Sequence, residues 1–222
     1  MTIAIVGGSG PQGSGIGVRL AAAGERVVLG SRDAARAVAE AERLSEAHGL
    51  RGSLTGAANR DAVEAADTVI LAVPYTGHTE LVESLAVPLS GKLVISCVNP
   101  LAFDKHGPVG AEIPDRSAAE EAARLLPESV VAGAFHHLSA VTLHRLEHDL
   151  SHEDVLVCGD DQAGKERVMR LAEQVTGGRA IDVGALRLAR HLEPFTAVLI
   201  SVNKRYKTNA SVSLTGIGKG EK

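Results

Sequence analysis

Short apolar runs recur along the chain, at residues 2–6, 26–29, 53–55, 68–73, 92–97, 130–135, 154–158 and 179–183. Each has the length of a strand, and several are rich in Val and Ile, which predicts strands buried in a sheet. Between them the apolar residues return at helical spacing. Alanines, Val38 and Leu44 do so over residues 33–48, until Gly49 stops the pattern. Asn59 can cap a short helix through Ala65, and a helix over residues 76–85 follows the run that Pro74 closes. Ser117-x-x-Glu120 is a capping-box signature for a helix to Leu126, and another helix ends at Gly177-Gly178. Strands alternating with helices predict an α/β chain: a Rossmann-type, doubly wound, mostly parallel sheet covered on both faces. Residues 1–183 form this dinucleotide-binding domain, and residues 184–222 a small C-terminal helical extension.

Two segments depart from the rhythm. Residues 97–116 contain Asn99-Pro100, Gly107-Pro108 and Ile113-Pro114, and predict a long irregular connection. It leaves a strand carboxyl end, the edge where open α/β sheets bind ligands. Residues 185–206 predict a long helix kinked at Pro194. Leu186, Leu192, Phe195, Val198, Leu199 and Val202 exceed one narrow stripe, so that helix is buried within the subunit or against a partner.

The first strand runs into Gly7-Gly8-Ser9-Gly10-Pro11-Gln12-Gly13 and then an Ala/Leu-rich helix ending near Gly24. Gly8, Gly10 and Gly13 fit G-x-G-x-x-G in the strand–turn–helix setting that the motif requires. There the first Gly makes a tight turn, the second admits a pyrophosphate to the backbone, and the third lets the helix pack on the strand. Unpaired N–H groups and the dipole at the helix start favour the anion. The competing reading is a glycine-rich turn with no ligand.

The end of the second strand selects the dinucleotide. NAD sites usually place Asp or Glu there to hold the ribose diol. This chain has Gly30-Ser31-Arg32, with Arg36 one helical turn on. A hydroxyl and two guanidiniums suit a 2′-phosphate, since the guanidinium fork matches phosphate geometry. An aspartate at Gly30 is expected to invert the preference. The competing reading makes Ser31 a helix cap and leaves both arginines solvated. Asp33 falls past the strand end, where it serves the first helical turn.

Composition narrows the classes. The chain has 222 residues, 45% of them hydrophobic, which fills one aliphatic core. A formal charge of -4 argues against nucleic-acid binding. No apolar run reaches the length of a membrane span, and the glycine turn interrupts any signal-peptide pattern at once. Cys97 and Cys158 sit in or beside apolar runs with no C-x-x-C, which predicts reduced core thiols in a cytoplasmic protein.

Three segments following strands should converge on the dinucleotide: the glycine turn, Val73-Pro74-Tyr75-Thr76-Gly77-His78, and Val98-Asn99-Pro100. Pro74 reads equally as a strand terminator and His78 as a surface helix residue. His136 and His137 follow a later strand and either face the nicotinamide or satisfy a backbone carbonyl. His144, His148 and His152 are spaced by four, but no Cys or carboxylate completes a shell, so a solvated face is expected and no metal. No Ser-His-Asp order or nucleophile elbow occurs, and no catalytic side chain is assigned. Hydride transfer between two bound cofactors needs apposition and exclusion of water more than a nucleophile.

In these residues the chain resembles the deazaflavin-dependent NADP reductases, the coenzyme F420:NADP oxidoreductases. The likeness runs through Ile5-Val6-Gly7-Gly8-Ser9-Gly10-Pro11-Gln12-Gly13, Gly30-Ser31-Arg32, Val73-Pro74, Arg116-Ser117-Ala118-Ala119-Glu120 and Val157-Cys158-Gly159-Asp160-Asp161. Asn203-Lys204-Arg205-Tyr206-Lys207-Thr208 is similar to one branch. The resemblance implies reversible hydride transfer between NADPH and the 5-deazaflavin coenzyme F420, and a homodimer. It implies that Ser9, Ser31, Arg32 and Arg36 hold the 2′-phosphate, that Val73, His78, Val98 and Ala140 bind NADP, and that His136 lies near the deazaflavin. His137-Leu138-Ser139 departs from the family's segment at that place. Two other readings fit the same sheet: an NADPH-dependent reductase of a small imine or keto acid, and a non-catalytic NADPH-binding sensor.

Overall fold

The computed structural model describes residues 1–217. In chain order the first half runs β1 (Thr2–Val6), α1 (Pro11–Ala22), β2 (Arg26–Ser31), α2 (Ala34–His48), β3 (Leu54–Ala58), α3 (Asn59–Glu64), β4 (Thr68–Leu71), α4 (His78–Ser84), α5 (Ala86–Leu89) and β5 (Leu93–Ser96). The second half runs β6 (Leu101–Asp104), β7 (Gly107–Gly110), α6 (Ala118–Leu125), β8 (Val130–Gly133), α7 (Ala140–Leu143), β9 (Val155–Gly159), α8 (Gln162–Thr176) and β10 (Ala180–Gly184). A 3-10 turn (Leu186–Leu188) then leads into α9 (Ala189–Tyr206).

Eight strands form one sheet in the order β10-β9-β8-β5-β4-β1-β2-β3. The chain winds from β1 outward to β3, then returns beside β1 as β4 and winds the other way. The reversal between β1 and β4 leaves a crevice at their carboxyl ends, the place where such sheets take ligands. Period-two alternation explains the two covered faces. Ile3 and Ile5 of β1 enter the core with α1 and α8, whereas Ala4 and Val6 enter the opposite core with α3 and α6. Among the described residues, no helix is long and apolar enough to cross a membrane.

The structure corrects three details of the sequence reading. First, β8 and β9 are antiparallel, through the pairs Ala132↔Gly159 and Gly133↔Cys158. The chain between them holds one short helical turn, α7, in place of the crossover helix that parallel neighbours need. Second, residues 97–116 are not irregular throughout: β6 and β7 form an antiparallel hairpin. Asp104 Oδ1 accepts from the N–H groups of His106 (2.7 Å) and Gly107 (3.1 Å), and Gly107 has φ +123. The glycines and proline of so short a pair erase the alternation that marks a strand. Third, Asn59 is not the cap of α3. Ala58 is the capping residue, and the Asn59 side chain turns to the glycine loop.

Candidate functional site

The crevice between β1 and β4 opens into a cleft of about 510 Å³. The glycine turn forms one wall. Gly7 has φ +77, and the Gly8 N–H is shared by the carbonyls of Ile5 (3.0 Å) and Gly30 (2.8 Å). A Cβ on Gly8 would lie 2.7 Å from the Ile5 carbonyl oxygen, and one on Gly13 would lie 2.9 Å from Gly8 Cα. Gly8 and Gly13 therefore shape the turn from behind, while Gly7, Ser9, Gly10, Pro11 and Gln12 line the cleft. Gly10 caps α1 without a side-chain bond, so the first-turn N–H groups are left for a ligand. Asn59 Oδ1 accepts from the Gly7 N–H at 3.4 Å and braces the turn from β3's end.

Ser31, Arg32 and Arg36 line one end of the cleft. Asp33 is the N-cap of α2 and accepts from the Arg36 N–H at 3.2 Å. Ser31 is thereby free of the capping role, and its Oγ accepts only the Asp33 N–H, at 3.2 Å. Both arginines are exposed, and the ion pair of α2 joins Arg43 to Glu40, one helical turn on from Arg36. Among the residues that line the cleft, the charged ones are Arg32 and Arg36, and no Asp or Glu is present. This end suits a phosphate dianion. Gly30 is glycine for a steric reason as well: a Cβ there would lie 2.8 Å from Asn59 Oδ1.

Val73, Pro74, Thr76 and Gly77 wall the other end, with Cys97 and Asn99 beside them. The Cys97 thiol donates to the Leu71 carbonyl at 3.1 Å, and burial pushes its pKa up to about 12, so it is no nucleophile. Asn99 donates its amide to the His136 carbonyl at 2.9 Å, while its Oδ1 is buried without a partner. Gln12 Nε2 reaches the Phe135 carbonyl at 3.2 Å from the opposite wall. An orphaned acceptor at one end, a close-packed glycine turn in the middle and two cations at the other fit a dinucleotide phosphate in shape and in charge.

Besides Gly8 and Gly13, four residues expected at the site do not line the cleft. His78 is fully buried behind its wall, with Nδ1 3.1 Å from Glu121 Oε1. Val98 packs into the hydrophobic core, and Ala140 opens α7 outside the cleft. The His136 ring is buried with neither nitrogen hydrogen-bonded, and burial, with His137 adding to it, lowers its pKa to about 3. It is neutral, and only its carbonyl reaches the site. His137 bonds the Asp154 carbonyl through Nε2 at 2.7 Å. His144 Nε2 lies 2.8 Å from the Pro11 carbonyl and steadies the glycine turn. Sequence reasoning missed Asn59, Ala72, Leu81 and Cys97 as lining residues, while Thr76 and Gly77 lie in a segment it expected at the dinucleotide. Asn59 and Cys97 stand at strand ends beside residues that were recognised, which was the available signal.

Comparison with known proteins agrees with this architecture. A family model described as NADP oxidoreductase, coenzyme F420-dependent, matches residues 2–100. The F420-dependent NADP reductase of Methanocaldococcus jannaschii is 37% identical over 217 residues, 95% of this chain and 96% of that protein. That of Methanothermobacter thermautotrophicus is 37% identical over 227 residues, 100% of this chain and 97% of that protein. A crystal structure from Arthrobacter sp. FB24, described as an F420 dependent NADP-reductase, is similar with a TM-score of 0.82 at 26% identity, over 97% of this chain and 99% of that one. With kinship at this level along the whole fold, the chain belongs to the coenzyme F420-dependent NADP oxidoreductase family.

Proposed function

We propose that this protein catalyses reversible hydride transfer between NADPH and the deazaflavin coenzyme F420. One observation carries the reading: the cleft at the β1–β4 reversal has Arg32 and Arg36 as its charged lining residues, with no Asp or Glu among them. Ser31 and the two arginines hold the 2′-phosphate, and the Gly7–Gln12 turn holds the pyrophosphate at the start of α1. Val73, Pro74, Thr76 and Asn99 orient the nicotinamide ring. When bound, the two cofactors supply the hydride donor and acceptor. The chain's part is to stack them, exclude water and present fixed backbone and side-chain dipoles.

Mixing protein, NADPH and coenzyme F420 while following the deazaflavin absorbance tests this. Loss of the deazaflavin band is expected. Turnover of a small imine or keto acid in its place supports the competing reductase. Tight NADPH binding with no acceptor reduced supports the sensor.

A homodimer fits α9 and the β6–β7 hairpin. Val109, Val198 and Tyr206 are exposed there and line a groove of about 580 Å³ with Pro194 and Ala197, and Phe103 is exposed on the same hairpin. Light scattering at micromolar concentration tests it, with a compact monomer as the contrary result. Two buried free thiols, Cys97 and Cys158, fit a reducing compartment, the cytoplasm.

A further inference from the structure

Glu121 stands on α6, outside the cleft, and is 2% exposed. Its carboxylate receives three side-chain donors. Tyr75 Oη lies 2.6 Å from Oε2, Thr79 Oγ1 lies 2.5 Å from Oε1, and His78 Nδ1 lies 3.1 Å from Oε1. All three come from the short stretch that follows β4. Burial alone would push this carboxyl up; the three donors outweigh it and bring the carboxyl below the ordinary value.

That stretch is also the cleft wall. Pro74, Thr76 and Gly77 face the cleft, and Tyr75, His78 and Thr79, interleaved with them, face Glu121. The segment has left the sheet at Leu71, and Gly77 turns it at φ +79 into α4 with no side-chain cap. Among the described residues, the side-chain hydrogen bonds that tie residues 73–79 to the rest of the fold all end on Glu121. The Tyr75 and His78 rings stack at 5.8 Å and fill the space between wall and helix.

The helix that carries Glu121 is itself fixed. Ser117 caps α6 and bonds Glu120, and the Glu193 carboxylate of α9 accepts the N–H groups of Ala118 (2.8 Å) and Ala119 (3.0 Å). Arg190 pairs with Glu120 beside them. A buried charge on a fixed element, with every donor drawn from the one stretch that runs from Tyr75 into the first turn of α4, sets where that stretch stands.

We propose that Glu121 is a positioning residue for hydride transfer, holding the Pro74–Gly77 wall against the nicotinamide half of the dinucleotide. This rests on the proposed function, and its test separates the two. Glu121→Gln, Tyr75→Phe and Thr79→Val are compared with the wild type by calorimetric titration of NADP⁺ and of 2′,5′-ADP, which lacks the nicotinamide. In turnover with F420, kcat is measured with NADPH and with its 4,4-dideuterated form.

Glu121→Gln is expected to weaken NADP⁺ about fivefold, to leave 2′,5′-ADP unchanged, and to lower kcat about tenfold with a larger isotope effect, as a loosened near-attack geometry requires. Tyr75→Phe and Thr79→Val should move the same quantities less, and they carry the test if Glu121→Gln does not fold. Equal weakening of both ligands, or unchanged NADP⁺ binding and isotope effect in folded variants, overturns the proposal and leaves Glu121 a stabilising residue. A wild type that binds NADP⁺ but reduces no deazaflavin overturns the proposed activity alone, because the binding arm still reads the wall. A wild type that binds neither ligand overturns both.

Discussion

Asn99 donates its side-chain amide to the His136 carbonyl at 2.9 Å and keeps its own Oδ1 buried and unpartnered. Thr196 of α9 donates to the same carbonyl at 2.8 Å, and Gln12 donates to the preceding one. Three elements thus grip the Phe135–His136 turn. The grip has a reason: Phe135 has φ +66, a left-handed conformation that costs a bulky residue about 1–3 kcal/mol. Because the Asn99 nitrogen is committed to a carbonyl, its oxygen is fixed as an acceptor at the cleft end away from the arginines, where the proposed function puts the nicotinamide.

The expected consequence is discrimination between a carboxamide and a carboxylate on the pyridine ring. Wild type should bind NADP⁺ about tenfold or more tighter than its nicotinic-acid analogue, since one charge-facing hydrogen bond is worth about 1.5–3 kcal/mol. Asn99→Ala should erase most of that ratio. It should also lower the urea midpoint modestly, by freeing the strained turn. Equal affinity of wild type for the two ligands refutes the assignment.

The phosphate end gives the second expectation. Two charge-assisted contacts, discounted for the exposure of both arginines, favour NADPH over NADH by about 2–4 kcal/mol, roughly 30- to 1000-fold. Arg32→Ala should lose most of this and Arg36→Ala less, with NADH nearly unaffected. Ratios of kcat/KM for the two coenzymes check it. The reading fails if Arg32→Ala harms both equally. The structure changes one expectation of the sequence. Gly30→Asp cannot simply invert the preference, because any Cβ meets Asn59 Oδ1 at 2.8 Å. That variant should lose stability, and the glycine turn that Asn59 braces should lose NADPH as well.

The contrast between Gly30 and Ser31 shows what the sequence makes legible. Local patterns suffice for β1, the glycine turn, the place of Ser31, Arg32 and Arg36 at the cleft and the Ser117 cap, because each rests on neighbours in the chain. The role of His78 does not, since its partner Glu121 is 43 residues away and no local pattern marks a buried carboxylate. Asn59 misleads for the same reason. Asn before a helix reads as a cap, yet Gly7, 52 residues earlier, claims its side chain. The direction of β9 was hidden because one helical turn and a full crossover helix differ by a few apolar residues.

Arg19 of α1 provides a third expectation, on stability. Its guanidinium is 8% exposed and donates to the carbonyls of Leu143 (3.0 Å), Thr142 (3.1 Å), Arg145 (2.7 Å), His148 (3.0 Å) and Val175 (3.4 Å). It thereby closes the end of α7 and the loop after it. Arg19→Met keeps the stem and leaves those acceptors without a donor, at a cost of about 3–5 kcal/mol. Urea denaturation measures this. A loss below about 1 kcal/mol would mean that water replaces the guanidinium.

The last expectation concerns acid and the C-terminal tail. Asp154 accepts from Arg179 Nε (2.8 Å) and Nη2 (2.7 Å) and from the Leu214 N–H (2.6 Å). Its own N–H donates to the Val212 carbonyl at 2.8 Å, and Arg179 Nη2 also reaches the Leu214 carbonyl at 2.7 Å. One ion pair therefore fastens residues 212–214 to the start of β9. The Arg179 hydrogen bonds, working against burial, hold the Asp154 carboxyl below its ordinary value of 3.8. A carboxyl depressed in the folded state contributes stability above the unfolded value, and that stability is lost as pH falls through the folded one. The tail should accordingly stay docked at neutral pH and come free only below about pH 4, before the sheet unfolds, because its contacts are few and peripheral. Asp154→Asn should release it at neutral pH. Hydrogen exchange at the Leu214 amide reports the event, with fast exchange in Asp154→Asn at pH 7 and in wild type only in acid. Protection of that amide in Asp154→Asn equal to wild type at pH 7 would show that the backbone bonds alone hold the tail.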